Sequence, residues 1–244
     1  MTGHFHCVAY DHRGHGHSDH SDDYSYASLT ADLLAVIQQA GLAKPILVGH
    51  SWGGMIALIF AAAYPGESSG VIAVDGIIPP HYEPLSEDAW IWLEEQFRTN
   101  PVLSRLNTFQ GADDELEAVI AWARQQSQTD YNQFSEDVAR RDFRRDEQGV
   151  WTSTQSADHL MALNRAVEAQ ALPGIAIYRR LADPVFLVMA SKGKFAEDDV
   201  SQIVAVAPSL DVAWVESGHS VQDDAPEMLA DLIRQFAATQ TRAT

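Results

Sequence analysis

The stretch Val48-Gly49-His50-Ser51-Trp52-Gly53-Gly54 constrains the fold more than any other part of the chain. Pro45, Ile46, Leu47 and Val48 make a short apolar run bounded by proline, as a buried strand requires, and Gly53 to Tyr64 continues as a helix of small and apolar residues. A strand that passes into a helix so abruptly must turn sharply, and Ser51 falls on that turn. Gly49 and Gly53 flank it because such a turn strains its central residue and crowds the neighbours, leaving no room for side chains. The Ser51 hydroxyl is thereby pushed into the open.

Composition sets the outer limits. A chain of 244 residues, 46% of them hydrophobic, suits one large domain, or a core domain with an insertion, around a sizeable core. Sixteen Lys and Arg against 34 Asp and Glu give a formal charge of -18, which opposes electrostatic binding to nucleic acid or to an anionic membrane. Cys7 is the single cysteine, so no intrachain disulfide can form, and no apolar stretch reaches the roughly 18 residues of a membrane span. The N-terminus lacks the basic region and cleavage signature of a secretory peptide. A soluble cytoplasmic protein is expected.

Strands and helices alternate along the chain, which predicts an α/β fold with a mostly parallel sheet covered by helices on both faces. Phe5 to Tyr10 reads as a strand, ending in the Gly-rich polar turn Asp11 to Ser18. A helix is predicted near Leu29 to Ala40, with Leu29, Leu33, Val36 and Ile37 on one face. Buried strands are expected at Val71 to Asp75, Val185 to Ala190 and Val212 to Val215, and a C-terminal helix carries Met228, Leu229, Leu232, Ile233 and Phe236 at helical spacing. Between Pro79 and about Leu181 the pattern changes to amphipathic helices without a convincing strand; Leu116, Val119, Ile120 and Ala123 mark one of them. The expected organisation is therefore a core of residues 1–79 and 182–244 with an inserted helical cap at 80–181.

A serine hydroxyl is a poor nucleophile at neutral pH and needs a base within hydrogen-bond reach, itself oriented by a third group. His219 is the candidate base. It lies just after the last predicted strand, and parallel strands place such loops at the sheet edge that also carries Ser51. His50 is adjacent in sequence but points elsewhere on a sharp turn. For the orienting acid, no carboxylate directly follows the strand at 185–190, where Ser191-Lys192-Gly193-Lys194-Phe195 stand; Glu197, Asp198 and Asp199 come late and read as the acidic first turn of a helix. Asp75 closes the preceding strand at the same edge. Asp75 is preferred, with Asp198 as the alternative.

These segments resemble the α/β-hydrolase superfamily, specifically its capped serine members. Asp11-His12-Arg13-Gly14-His15-Gly16-His17-Ser18 fits the family's D-x-R-G-x-G-x-S turn, Gly49 to Gly53 its nucleophile elbow, and Gly218-His219 its histidine loop. The order Ser51, Asp75, His219 follows the family's order of nucleophile, acid and histidine, and some relatives place the acid after the earlier strand. The resemblance implies that the Trp52 N-H supplies one donor of an oxyanion hole. It also implies two or three further strands before Phe5 and a His-Gly loop giving the second donor. This chain starts at what would be the following strand, so either the true N-terminus lies upstream or the protein is a shortened relative.

The resemblance further implies a serine hydrolase, esterase-like, that cleaves a carboxylic ester, thioester or lactone of a small apolar substrate through an acyl-enzyme. A serine at the elbow in place of an aspartate argues against the epoxide hydrolases and dehalogenases of the superfamily. The alternatives are a cofactor-independent lyase or oxygenase, or a carbon-carbon bond hydrolase, using the His219-Asp75 pair as base, and a non-catalytic binding protein. No cofactor, nucleic-acid partner or membrane partner is expected; the oligomeric state stays open.

Other features read more simply. His4, His6, His12, His15, His17 and His20 crowd the N-terminus, yet no Cys or acidic ligand set accompanies them, so no metal is expected. Trp90, Trp92, Trp122 and Trp151 fall in the proposed cap, where they pack it or line an apolar pocket. Arg140, Arg141, Arg144 and Arg145, interleaved with Asp137, Asp142 and Asp146, read as a solvated helix face.

Overall fold

The computed structural model describes residues 5–81, 84–126, 140–154, 157–170 and 173–241. In chain order the elements are α1 (Tyr26–Gln39), β1 (Ile46–His50), α2 (Trp52–Ala63), β2 (Gly70–Val74), α3 (Glu87–Thr99), α4 (Pro101–Asn107), β3 (Gln110–Gly111), α5 (Asp113–Gln126), β4 (Phe143–Arg145), β5 (Trp151–Ser153), α6 (Ala157–Glu168), a 3-10 segment (Gly174–Arg180), β6 (Val185–Lys192), α7 (Glu197–Val206), β7 (Asp211–Gly218), α8 (Val221–Asp224) and α9 (Pro226–Thr241). They form two compact units. One comprises the described residues of 1–9, 26–82 and 171–244, the other those of 10–25 and 83–170.

The first unit is built on a four-stranded parallel sheet of order β1-β2-β6-β7. Its central strands run apolar where they cross the core: every residue of β2 is buried, as are the first six of β6 before the exposed Ser191 and Lys192. Such continuous runs are what a parallel sheet with both faces covered demands. Ile72, Val74, Phe186, Val188 and Val215 pack with Leu229, Ile233 and Phe236 of α9 on one face. Phe60, Ile56 and Leu58 of α2 are fully buried, and Leu29, Leu33 and Ile37 of α1 sink the apolar stripe that the helical spacing predicted. Gly70 leaves room for the Phe236 ring, which a Cβ there would meet at 2.7 Å. No helix of the described residues is long and apolar enough to cross a membrane.

Phe5 to Tyr10, expected as a strand, is not one. A strand exists only through a ladder with a neighbour, and these residues make none; β1 stands at the sheet edge, with Val48 48% exposed.

The second unit carries the amphipathic helix anticipated at 116–123: Leu116, Val119, Ile120 and Phe143 form its core, with Leu106, Phe109, Trp122 and Trp151 packed on it. It also holds a small antiparallel sheet of order β3-β5-β4, where no strand was expected. Strands of two or three residues are too short to display a period of two. The signal that existed was the turn Asp146-Glu147-Gln148-Gly149, in which Gly149 takes φ 84° and the Asp146 side chain accepts the Val150 N-H at 2.8 Å. Arg144 and Arg145 accordingly lie on a strand rather than on a helix face. Arg145 pairs with Asp113 at 2.7 Å, Arg140 with Glu117, and Arg144 donates to the His17 carbonyl at 2.8 Å; Asp137 lies outside the described residues.

The turn at Asp11 to Ser18, expected with the 1–79 part of the core, groups with this second unit. Within it Ser18 Oγ donates to the Asp11 carbonyl at 2.6 Å, and the His17 N-H donates to the Asp11 carboxylate at 3.0 Å. His17 Nε2 donates to the Phe143 carbonyl, and His159 Nε2 to the Gly14 carbonyl, each at 3.0 Å. Among the described residues no group of three or more His, Cys, Asp or Glu is arranged to hold a metal.

Candidate active site

Ser51 stands between the last residue of β1 and the first of α2 with φ 52° and ψ -120°, a conformation that side chains rarely adopt. Backbone hydrogen bonds on both sides hold it there. Its N-H donates to the Val74 carbonyl of the next strand at 2.9 Å, and its carbonyl accepts from Gly54 N-H at 3.0 Å as α2 begins. The crowding expected around it is real but differently distributed. A Cβ on Gly49 would collide with the Gly53 carbonyl group, whereas a Cβ on Gly53 would meet nothing within 4 Å. Gly54 is the crowded member of the Gly-Gly pair, since its Cβ would lie 2.8 Å from the Gly76 carbonyl oxygen.

Asp75 follows β2 with its N-H donating to the Val188 carbonyl at 2.8 Å, and it too has a left-handed backbone, φ 40°. Its side chain is fully buried, at 0% exposure, and therefore needs partners. Oδ1 accepts the Ala190 N-H at 3.2 Å; Oδ2 accepts the Lys194 N-H at 3.4 Å and His219 Nδ1-H at 2.6 Å. Gly193 lies against this carboxylate so closely that any side chain there would displace it. The position after β6, where the sequence lacks an acid, is thus an empty slot into which the acid of the neighbouring strand reaches.

His219, in the loop between β7 and α8, is bonded at both ring nitrogens. With Nδ1-H given to Asp75, Nε2 is the acceptor, and Ser51 Oγ donates to it at 2.9 Å. The three side chains named from the sequence are therefore brought into one hydrogen-bonded series. Asp198 is not part of it: it sits in the first turn of α7, where its carboxylate accepts from Gln202 Nε2 at 2.8 Å. Trp52 occupies the first position of α2, where the backbone N-H groups point out of the helix N-terminus. The Ser51 hydroxyl can pass its proton to an imidazole whose far side faces a carboxylate.

Three further participants escaped sequence reasoning. Gly76 and Gly193 leave no trace in a single sequence beyond being glycines beside strand ends. His50, expected only to point elsewhere, enters the same assembly: its Nε2 donates to the His219 carbonyl at 2.8 Å. Burial holds His50 below the ordinary histidine value, with the bond to the His219 carbonyl opposing that effect.

Fold and geometry converge on one class, and the chain's relatives agree. A family model described as the alpha/beta hydrolase fold matches residues 2–226, and the chain belongs to that family. It is 47% identical over 64 residues to "Epoxide hydrolase 1" of Caenorhabditis elegans, 25% of this chain and 16% of the relative. It is 39% identical over 83 residues to a "Putative esterase/lipase" of Haemophilus influenzae, 34% of this chain and 29% of the relative. In both, the alignment spans less than a third of the relative's length. Among solved structures, an E-2-(acetamidomethylene)succinate hydrolase shares the fold with a TM-score of 0.70 at 23% identity, over 93% of this chain and 80% of that one.

Proposed function

We propose that the protein is a serine hydrolase that cleaves a carboxylic ester, thioester or lactone of a small apolar substrate through an acyl-enzyme. The observation that carries this reading is the double engagement of His219, 2.9 Å from Ser51 Oγ and 2.6 Å from Asp75. Asp75 fixes the tautomer in which Nε2 is basic. As Ser51 Oγ attacks the carbonyl carbon, its proton moves to His219 Nε2, and the new imidazolium is stabilised by the buried carboxylate. The Trp52 N-H helps hold the tetrahedral oxyanion. His219 then returns the proton to the leaving oxygen or sulfur as the carbonyl reforms. Water, deprotonated by the same nitrogen, releases the acid and restores Ser51.

A serine in place of a carboxylate at position 51 favours acyl transfer over attack on an epoxide, which an aspartate would carry through an ester. The esterase named among the relatives supports the same reaction class. The test is labelling by a fluorophosphonate probe together with hydrolysis of acyl esters of graded length. Labelling abolished by Ser51→Ala, with ester turnover lost in parallel, is the expected result; turnover surviving that substitution would instead assign the chemistry to the His219-Asp75 pair acting as a base. An unlabelled, inactive parent protein would point to a non-catalytic relative.

A further inference from the structure

We propose that His50 is a positioning residue for His219, holding the backbone carbonyl of the histidine so that its imidazole stays aimed at Ser51. The proposal rests on the serine-hydrolase reading and deepens it.

The loop that carries His219 begins where β7 ends, and its two sides are held by different devices. On the N-terminal side, the Asp224 carboxylate accepts the Gly218 N-H at 2.7 Å. On the C-terminal side, Asp223 and Asp224 N-H groups both reach back to the Ser220 carbonyl, at 2.9 and 3.1 Å, closing the first turn of α8. Between these the carbonyl of His219 itself is bound by His50 Nε2 at 2.8 Å. Rotation of the peptide after His219 would swing its Cα-Cβ bond, and the imidazole has to keep two short contacts at once. His50 restrains this rotation from outside the loop, and as the last residue of β1 it is fixed by the ladder that pairs it with Val74. Nucleophile and base are therefore indexed to the same strand end: Ser51 follows His50 in the chain, and His219 hangs from it by a hydrogen bond.

A carbonyl only accepts, so His50 carries a proton on Nε2. Its Nδ1 faces Gln222 Nε2 at a long 3.5 Å. The ring stands 4.6 Å, centroid to centroid, from that of His219. The charged or titratable groups acting on it are His219, which lowers its value together with desolvation, and Asp75 and Asp223, which raise it; desolvation is the largest effect and keeps the value below the ordinary one. A neutral His50 holds the carbonyl without setting a second positive charge beside the imidazolium that forms on His219 during acyl transfer.

The test compares the full chain with His50→Gln, His50→Asn and His50→Leu. A Gln side-chain amide extends to about the reach of Nε2, an Asn amide only to that of Nδ1, and Leu offers no donor. One readout needs no substrate: the low-field proton resonance of His219 Nδ1-H in its bond to Asp75. The other is kcat, KM and the pH dependence of kcat on an acyl ester. His50→Leu and His50→Asn are expected to lower kcat about 10- to 100-fold with KM little changed. They should also displace the acid limb of the profile and shift or broaden the resonance, while His50→Gln stays close to the parent in all three. Resonance and rate unchanged in every variant would overturn the proposal. So would equal losses in all three with an unmoved resonance and a lowered melting temperature, which is what a merely structural residue gives. If the parent protein hydrolyses nothing, the resonance alone decides, so failure of the hydrolase reading stays separate from failure of this one.

Discussion

Gly76 lies flat against the peptide of Ser51: a Cβ built on it would run into the Ser51 carbonyl oxygen and come 2.8 Å from its nitrogen. The strained serine and the residue after the buried acid are thus packed backbone to backbone, where two strand ends of the sheet meet. Nothing flexible stands between them to absorb an added methyl group.

Gly76→Ala is therefore expected to displace the elbow rather than fill space. Fluorophosphonate labelling of Ser51 should slow by about 10²-fold, and chemical denaturation should show a loss of roughly 1–3 kcal/mol. Gly53→Ala is the contrast, because a Cβ there meets nothing within 4 Å in the first turn of α2. That variant should be as stable as the parent or more so, by up to about 1 kcal/mol. Equal destabilisation of the two would sink the packing argument.

The choice between the two candidate acids can be read in kinetics. Asp75 is buried and hydrogen-bonded to His219, whereas Asp198 bonds to Gln202 on the first turn of α7. Asp75→Asn keeps the shape but offers His219 an amide that favours the wrong tautomer, so kcat should fall by a factor on the order of 10⁴. Asp198→Asn should leave kcat and KM at parental values. Comparable rates for Asp75→Asn and the parent would remove Asp75 from the mechanism.

Most of the candidate site was legible because its residues are tied to local patterns. Ser51 is marked by a strand-turn-helix signature, Asp75 by closing a predicted strand and His219 by the loop that follows one, at the edge where a parallel sheet gathers its loops. What stayed hidden depends on contacts between segments remote in sequence. Gly193 matters because the Asp75 carboxylate occupies the space beside it, and His50 because a loop 169 residues away ends on its ring. The strand expected at Phe5 to Tyr10 failed for a related reason: a short apolar run forms a strand only when a neighbour supplies the ladder. The hairpin of β4 and β5 was missed because three-residue strands bearing Arg and Thr carry almost no pattern.

The segment after Asp75 is secured by Tyr178, whose Oη accepts the Ile78 N-H at 2.8 Å and donates to the Ile78 carbonyl at 3.1 Å. Burial raises the phenol far above its ordinary value, so it is neutral at any accessible pH and serves as both donor and acceptor. Tyr178→Phe would strand a buried N-H and a buried C=O, each costing about 1–3 kcal/mol when unsatisfied. A urea titration should show a lowered midpoint with unchanged slope. An unchanged midpoint would mean that other groups take over both bonds.

The second unit offers a test through pH. Partial loss of water, reinforced by the Asp11 carboxylate and opposed by His17, pushes the Asp142 carboxyl up to about 6 from 3.8. A raised carboxyl binds its proton more tightly in the folded state, so the unfolded chain releases first as pH rises. Asp142 then subtracts stability progressively between about pH 4 and pH 6, and by a constant amount above that. The residue keeps considerable contact with solvent, so screening makes the effect modest. Asp142→Asn abolishes the titration while its backbone carbonyl still accepts from Thr154 N-H and Oγ1. His15 and His159, both lowered chiefly by burial, pull the other way by losing stability as pH falls. They are present in both proteins and cancel in the difference. The melting temperature of the variant relative to the parent should therefore climb as pH is raised from 4 to 6 and level off beyond; a difference independent of pH would show that Asp142 titrates like an ordinary surface carboxylate.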